Sequence, residues 1–405
     1  SSHTKPKASD SDRPTLAVLP FTNMSGDPEQ EYFADGMVEE VITGLSRIKW
    51  LSVNSRNSSF IYKNKPAAVK EVSDKLGVRY VLEGSVRKSG NRVRITAQLI
   101  DAETDAHLWA DKYDRSLEDI FAIQDEITMS VIGAIEPSLR KAEIDRVKRQ
   151  RPSNLNAYDL VLRALPHIYS VMPKDAAMAI PLLEDALKLE PNYGAAHAFL
   201  GWCLHIRFVR GGLREEDRIA AIRNAHAAVA HSSDDATALA VAAFVIAVDE
   251  RDTTTALKLF DRALALSNSN MFALSGSAIT LAWMGKTELA TERAQRALRL
   301  SPFDSLNWWP YQSLAVVYFH THRYADAVDA ARSAINSNPT FSLLHATLSA
   351  SLMRLGRVEE AKLAAKSVLE CQPSFTIRGT SVNVGLEPTL FEPLADAWRE
   401  VGLPE

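Results

Sequence analysis

The chain has 405 residues, of which 46% are hydrophobic and 24% charged, with a formal net charge of −4. That usage fits a folded protein of two or three domains, and the charge gives no overall drive towards nucleic acid. No apolar run approaches the ~20 residues that cross a bilayer, and no signal peptide is visible.

The first residue is Ser rather than Met, which leads us to expect an excised or processed fragment, with residues 1–13 as a linker. Residues 14–150 read as an α/β domain. Residues 15–21 (TLAVLPF), 50–53, 80–86 and 92–100 are β-branched or alternating stretches expected as strands. Between the first two, Phe33, Met37, Val41, Ile42 and Leu45 share one face of a helix over 32–48. A second helix over 67–76 ends at Gly77, a suitable C-cap. Ser89, Gly90 and Asn91 separate two strands and predict a hairpin turn. This order indicates a mixed sheet. The acidic residues Asp27, Glu29, Glu31, Asp35, Glu39 and Glu40 cluster at the first helix. They read as a turn residue and dipole-complementing carboxylates rather than a metal site. The basic stretch 140–151 is broken by Glu143 and Asp145 and reads as a solvated helix end.

From residue 151 onward the pattern is an alanine ladder. Ala290, Ala294, Ala297 and Pro302 are echoed by Ala327, Ala331, Ala334 and Pro339, with flanking copies ending at Asn268 and Pro373. These stops are 34, 37 and 34 positions apart. A period near 34 built of paired helices is the tetratricopeptide signature. Small residues at i, i+4 and i+7 let neighbouring helices approach closely, and the proline ends each second helix. About six pairs fit between Tyr158 and Pro373; Pro166 is expected to break the first helix, and residues 210–217 (RGGLREED) form an inserted loop. Residues 374–405, with Leu390, Leu394, Trp398 and Val401 on one face, are expected to cap the last pair. Cys203 and Cys371 fall in separate pairs and read as buried free thiols.

The segments LAVLPFTNMSGDPEQEYFADGMVEEVITGLSRI, YVLEGSVRKSGNRVRITAQLIDAETDAHLWADKYDR and IFAIQDEIT resemble the TolB amino-terminal-like domain of bacterial signalling proteins. In that family it commonly precedes tetratricopeptide repeats, and the ending WREVGLPE resembles that of cyclases of this architecture. The resemblance implies the regulatory, C-terminal half of a class III adenylate or guanylate cyclase. A winged-helix transcription regulator or a free-standing scaffold would carry the same module. It implies a protein or peptide partner, with a homodimer possible because class III sites form between subunits. The compartment, cytoplasmic or periplasmic, then depends on what lies upstream.

No catalytic residue, cofactor or metal site is expected in the chain itself. The metal-binding aspartates of a cyclase are not found, and neither GxxxxGK[ST] nor GxGxxG occurs. His320 and His322 read as surface or groove residues and His107 as part of a core or edge. The sharper expectation is a partner-binding groove on the inner wall, which the first helix of each pair supplies. Its residues are Trp202, His205, Phe272, Ile279, Trp283, Trp309, Gln312, Val316, Phe319, Met353 and Arg354, with Leu343 and Ala350 beside them. A wall so apolar suits an amphipathic helix or a second copy of the chain. Packing between adjacent helices, or filling by the carboxyl-terminal segment, would produce the same residue pattern.

Overall fold

The computed structural model describes residues 13–116, 120–148, 156–301, 304–384 and 386–405, and forms two compact units that divide after Arg146. The residues expected as a linker, Pro302, and the basic residues 149–151 lie almost wholly outside the described residues.

In the first unit, strands β1 (Thr15–Val18), β2 (Thr22–Asn23), β3 (Ser52–Val53), β4 (Tyr80–Ser89), β5 (Arg92–Asp101) and β6 (Ala106–Ser116) form one mixed sheet in the order β3-β1-β4-β5-β6, with β2 also pairing β4. β1 runs parallel to β3 and β4, whereas β4, β5 and β6 are antiparallel. The β4–β5 hairpin pairs Ser89 with Arg92 and turns on Gly90 at φ 58°, the positive-φ position a two-residue hairpin needs. Helices α1 (Glu31–Ser46), α2 (Arg56–Ser59), α3 (Val69–Leu76) and α4 (Ile120–Lys148) complete the order. Met37, Val41 and Leu45 of α1 and Ile127, Val131 and Ile135 of α4 meet Leu82, Ile95 and Leu99 on one sheet face, while Val72 of α3 packs with Val81 on the other. Gly77 ends α3 at φ 66°, as its sequence position predicts. Glu143, fully buried on α4, accepts from Tyr80 Oη at 2.7 Å, from Arg146 at 3.0 and 3.1 Å, and from Arg79. Burial first, then this carboxylate, pushes the Tyr80 phenol far above its ordinary range.

The acidic residues near α1 are used in structure. Gln30 donates from its backbone and side chain to Asp27, and Lys63 pairs with Asp35 and Glu31. The side chain of Glu29 is outside the described set.

The second unit is a solenoid of six helix pairs among the described residues. They are α5 (Ala157–Tyr169) with α6 (Pro173–Leu189), α7 (Gly194–Arg210) with α8 (Glu215–His231), and α9 (Ala236–Val245) with α10 (Thr253–Leu266). The rest are α11 (Met271–Trp283) with α12 (Thr287–Leu300), α13 (Trp308–His320) with α14 (Tyr324–Ser337), and α15 (Ser342–Arg354) with α16 (Val358–Cys371). The ladder alanines Ala290, Ala294, Ala297, Ala327, Ala331 and Ala334 are all fully buried. Asn268, Pro339 and Pro373 each stand two residues past a helix end, where a proline cannot extend the hydrogen-bond ladder. One expectation is corrected: Pro166 sits within α5, whose last turn continues to Tyr169. The lost N–H removes one bond close to the helix end, too late to stop it.

Two features shape this unit. A π turn (Ile246–Glu250) extends α9 before Arg251 closes it at φ 63°. The winding also brings the turn after α14 back to the first pair, where Asn338 Nδ2 donates to the Ser170 carbonyl at 3.4 Å. Helices α17 (Ile377–Val384) and α18 (Pro388–Val401) follow. Trp398 of α18 is fully buried and donates from Nε1 to the Ala346 carbonyl of α15 at 2.8 Å, so this helix packs on the last pair.

Candidate functional site

The inner wall is built by α7, α9, α11, α13 and α15, and the tight winding folds it onto itself. Trp202 of the second pair meets Trp309 of the fifth at 5.1 Å between ring centroids, and both contact Phe244 at 5.2 Å. Trp308 stacks on Trp309 at 5.5 Å and meets Phe341 edge-on at 5.2 Å. Such tilted and edge-to-face pairs are the favoured aromatic geometry.

This revises the expectation of an exposed aromatic wall. Trp202, His205, Phe272, Ile279, Trp283, Trp309, Gln312, Val316 and Phe319 are all buried, together with Leu343 and Ala350, while Met353 and Arg354 are half-buried. The physical reason is twofold. Aromatic rings from non-adjacent pairs cover one another, and Val384, the last residue of α17, and Leu386 just beyond it line the same cavity. Arg354 is engaged by Glu400 of α18 at 3.0 Å. His320, expected near the surface, is held largely inside against Trp283 at 5.9 Å, and burial pushes its imidazole down to about 4. Cys203 is buried and free, and Cys371 is free and partly exposed.

The wall has a polar centre, of which the repeat pattern pointed to His205 and Gln312 but not to Asp249 or Arg210. His205 Nδ1 and Asp249 Oδ1 are 2.8 Å apart, each at most 2% exposed, and the π turn is what delivers Asp249. Insertions of this kind recur at functional positions because they redirect one side chain without breaking the helix. Gln312 Nε2 donates to Thr347 Oγ1 at 2.7 Å. Arg210, the last residue of α7, is 8% exposed and lays its guanidinium over the Phe341 ring at 4.3 Å. Arg210, Phe244, Trp308 and Phe341 line a cavity of about 40 Å³ with Trp202 and Gln312. The run LHIRFVR carries two arginines, Arg207 and Arg210, and nothing in the sequence marks the second as the buried one. Arg210 lies outside the positions that repeat from pair to pair.

Among the described residues no group of three His, Cys, Asp or Glu side chains is placed to hold a metal, and no helix is long and apolar enough to cross a membrane.

Residues 11–130 match a family model described as the second domain of HilA/YgeH-like transcriptional regulators. Over 188 residues, 46% of this chain, the sequence is 50% identical to "Putative adenylate cyclase 3" of Rhizobium meliloti (strain 1021). The match takes in 32% of that protein, so the chain spans about a third of its relative's length. Among solved structures, TolB from Acinetobacter baumannii is similar over 31% of this chain and 28% of its own, with 22% identity and a TM-score of 0.24. PilF of Pseudomonas aeruginosa is similar over 52% of this chain and 88% of its own, with 18% identity and a TM-score of 0.37.

Proposed function

We propose that this chain is the regulatory, non-catalytic part of a bacterial adenylate cyclase, in which the helical repeats receive a protein partner and the catalytic domain lies elsewhere in a longer polypeptide. The 50% identity over 188 residues to a protein of that name carries the reading. The repeat architecture fits it, since stacked helix pairs present extended surfaces rather than a reaction centre. In this reading residues 14–150 form the TolB-like unit, 151–373 the receiving solenoid and 374–405 the cap.

The partner's chemistry follows from what fills the inner wall. Val384 and Leu386 of the chain itself line the same cavity as Trp202, Ile279 and Trp283. An amphipathic segment of a partner, or of a second copy of the chain, would take their place on the same residues. Met353 and Arg354, half-buried at the rim, would meet it first.

The test is to express the longer gene product with and without residues 156–405 and measure cyclic-nucleotide synthesis. A changed rate with the catalytic domain still folded supports the reading; an unchanged rate sinks it. A second reading, the same module within a transcription regulator, is favoured by the family match over residues 11–130. A winged helix encoded upstream, with DNA binding and no cyclic-nucleotide synthesis, would select that one.

A further inference from the structure

The sheet of the first unit ends in two unequal edges. At one side stands β3, a strand of 2 residues, too short to template further pairing. At the other stands β6, 11 residues long, which pairs with β5 on one side only. Among the described residues no backbone hydrogen bond joins β6 to anything but β5, and Tyr113 is the one buried residue of the strand.

Two local hydrogen bonds show which backbone groups of β6 face outward. The Lys112 N–H donates to Asp111 Oδ1 at 2.7 Å, and the Asp114 carbonyl accepts from Arg115 Nη1 at 3.0 Å. Alternate residues of an antiparallel strand present both backbone groups to the same side, so Ala110, Lys112, Asp114 and Ser116 offer theirs away from β5. The side chains of Asp111 and Arg115 stand in there for a missing neighbour.

Edges are commonly kept from pairing by a proline or by charges that repel a second strand. The centre of β6 holds no proline, and its charges do the opposite. It reads Asp111, Lys112, Tyr113, Asp114, Arg115, a series that complements itself when reversed. Two antiparallel copies related by a two-fold axis at Tyr113 set Asp111 opposite Arg115 of the second copy and Lys112 opposite Asp114, each pair occurring twice. An axis at Asp111, Lys112 or Asp114 would instead set a charge against itself. The register shift between β5 and β6 lies towards the start of β6, clear of residues 110–116.

We infer that β6 is a dimer interface, pairing antiparallel with β6 of a second copy about Tyr113 so that the two sheets become one. The backbone supplies about eight hydrogen bonds over residues 110–116. Asp111 and Arg115, which now occupy the edge, are released to meet each other across it. This pair carries the selection of register. Asp111 forms no ion pair of its own among the described residues, whereas Asp114 is already shared by Arg92 and Arg94 at 2.9 and 2.7 Å and gives Lys112 less. The inference does not depend on the cyclase reading, because the second copy meets the sheet edge and not the wall of the repeats.

The test is sedimentation equilibrium of the full chain from about 1 to about 100 µM, where association of micromolar strength is visible. A concentration-dependent dimer is expected. Asp111→Arg and Arg115→Asp each set like charges opposite one another, and each should weaken association by about tenfold or more while leaving the circular dichroism spectrum unchanged. Mixed in equal amounts the two variants should dimerise again, since each supplies the sign the other lacks. Lys112→Pro removes an outward N–H without touching the β5 ladder and should also leave a monomer, which keeps a readout if a charge variant does not fold. The inference is overturned if the unaltered chain stays monomeric through that range, if any folded variant dimerises as the unaltered chain does, or if the mixture stays monomeric.

Discussion

His205 Nδ1 and Asp249 Oδ1 lie 2.8 Å apart inside the repeat unit, linking the second helix pair to the π turn that extends the third. Asp249→Ala should cost about 2–4 kcal/mol, because it leaves a buried imidazole without its partner. A double-mutant cycle with His205→Ala, read by urea denaturation, is expected to return a coupling of about 1–3 kcal/mol. Additive single losses would show that the two side chains do not depend on each other.

His320 gives the protein an acid limit. Its folded-state value of about 4 lies below its ordinary 6.5, so the unfolded chain takes up the proton first as pH falls. The stability it contributes is complete above about pH 6.5 and is lost as pH falls towards 4, by up to about 3 kcal/mol. His320→Gln should flatten the stability profile over that window in chemical denaturation at stepped pH.

Trp398→Ala should remove about 3–5 kcal/mol, since the ring is fully buried and its N–H is bonded to Ala346. Hydrogen exchange is expected to speed first in α15 and α18, the elements this ring ties together.

Gly285, His322 and Gly356 occupy the same turn of three successive pairs, at φ 72°, 59° and 73°. Only the middle one carries a side chain in the left-handed region. His322→Gly should therefore stabilise by up to about 1 kcal/mol, whereas Gly356→Ala should cost about that much. The midpoints of urea unfolding curves would order the variants.

Trp283→Glu tests the buried state of the inner wall. With the ring 4% exposed, a carboxylate placed there is cut off from water beside an imidazole, His320, that burial keeps neutral at pH 7, and helicity should fall at 25 °C. Retained helicity with lost self-association would instead describe an open wall.

The ladder was legible because a small residue at a fixed helical spacing leaves a regular mark, and Ala294, Ala331 and their neighbours pack as that spacing requires. Strand β6 was not assigned from pattern, since residues such as Asp111 and Lys112 expose the strand and give no apolar alternation. The closure of the inner wall was hidden for a different reason. It depends on how far the solenoid turns per repeat, which no single repeat encodes, and it brings Trp202 to Trp309 across more than a hundred residues. Arg210 and Asp249 escaped notice because neither falls at a position the repeats share.

The hydrogen bond from Asn338 to Ser170 alters how the unit is expected to come apart. An open stack of repeats loses its ends first, each unit answering only to its neighbours. Here the fifth pair braces the first, making the chain of dependencies a loop. Trimming either end should therefore lower the melting temperature of the whole unit in one step, and its folding should be slower than that of an uncurled array of equal length, because a long loop must close before the last contacts form.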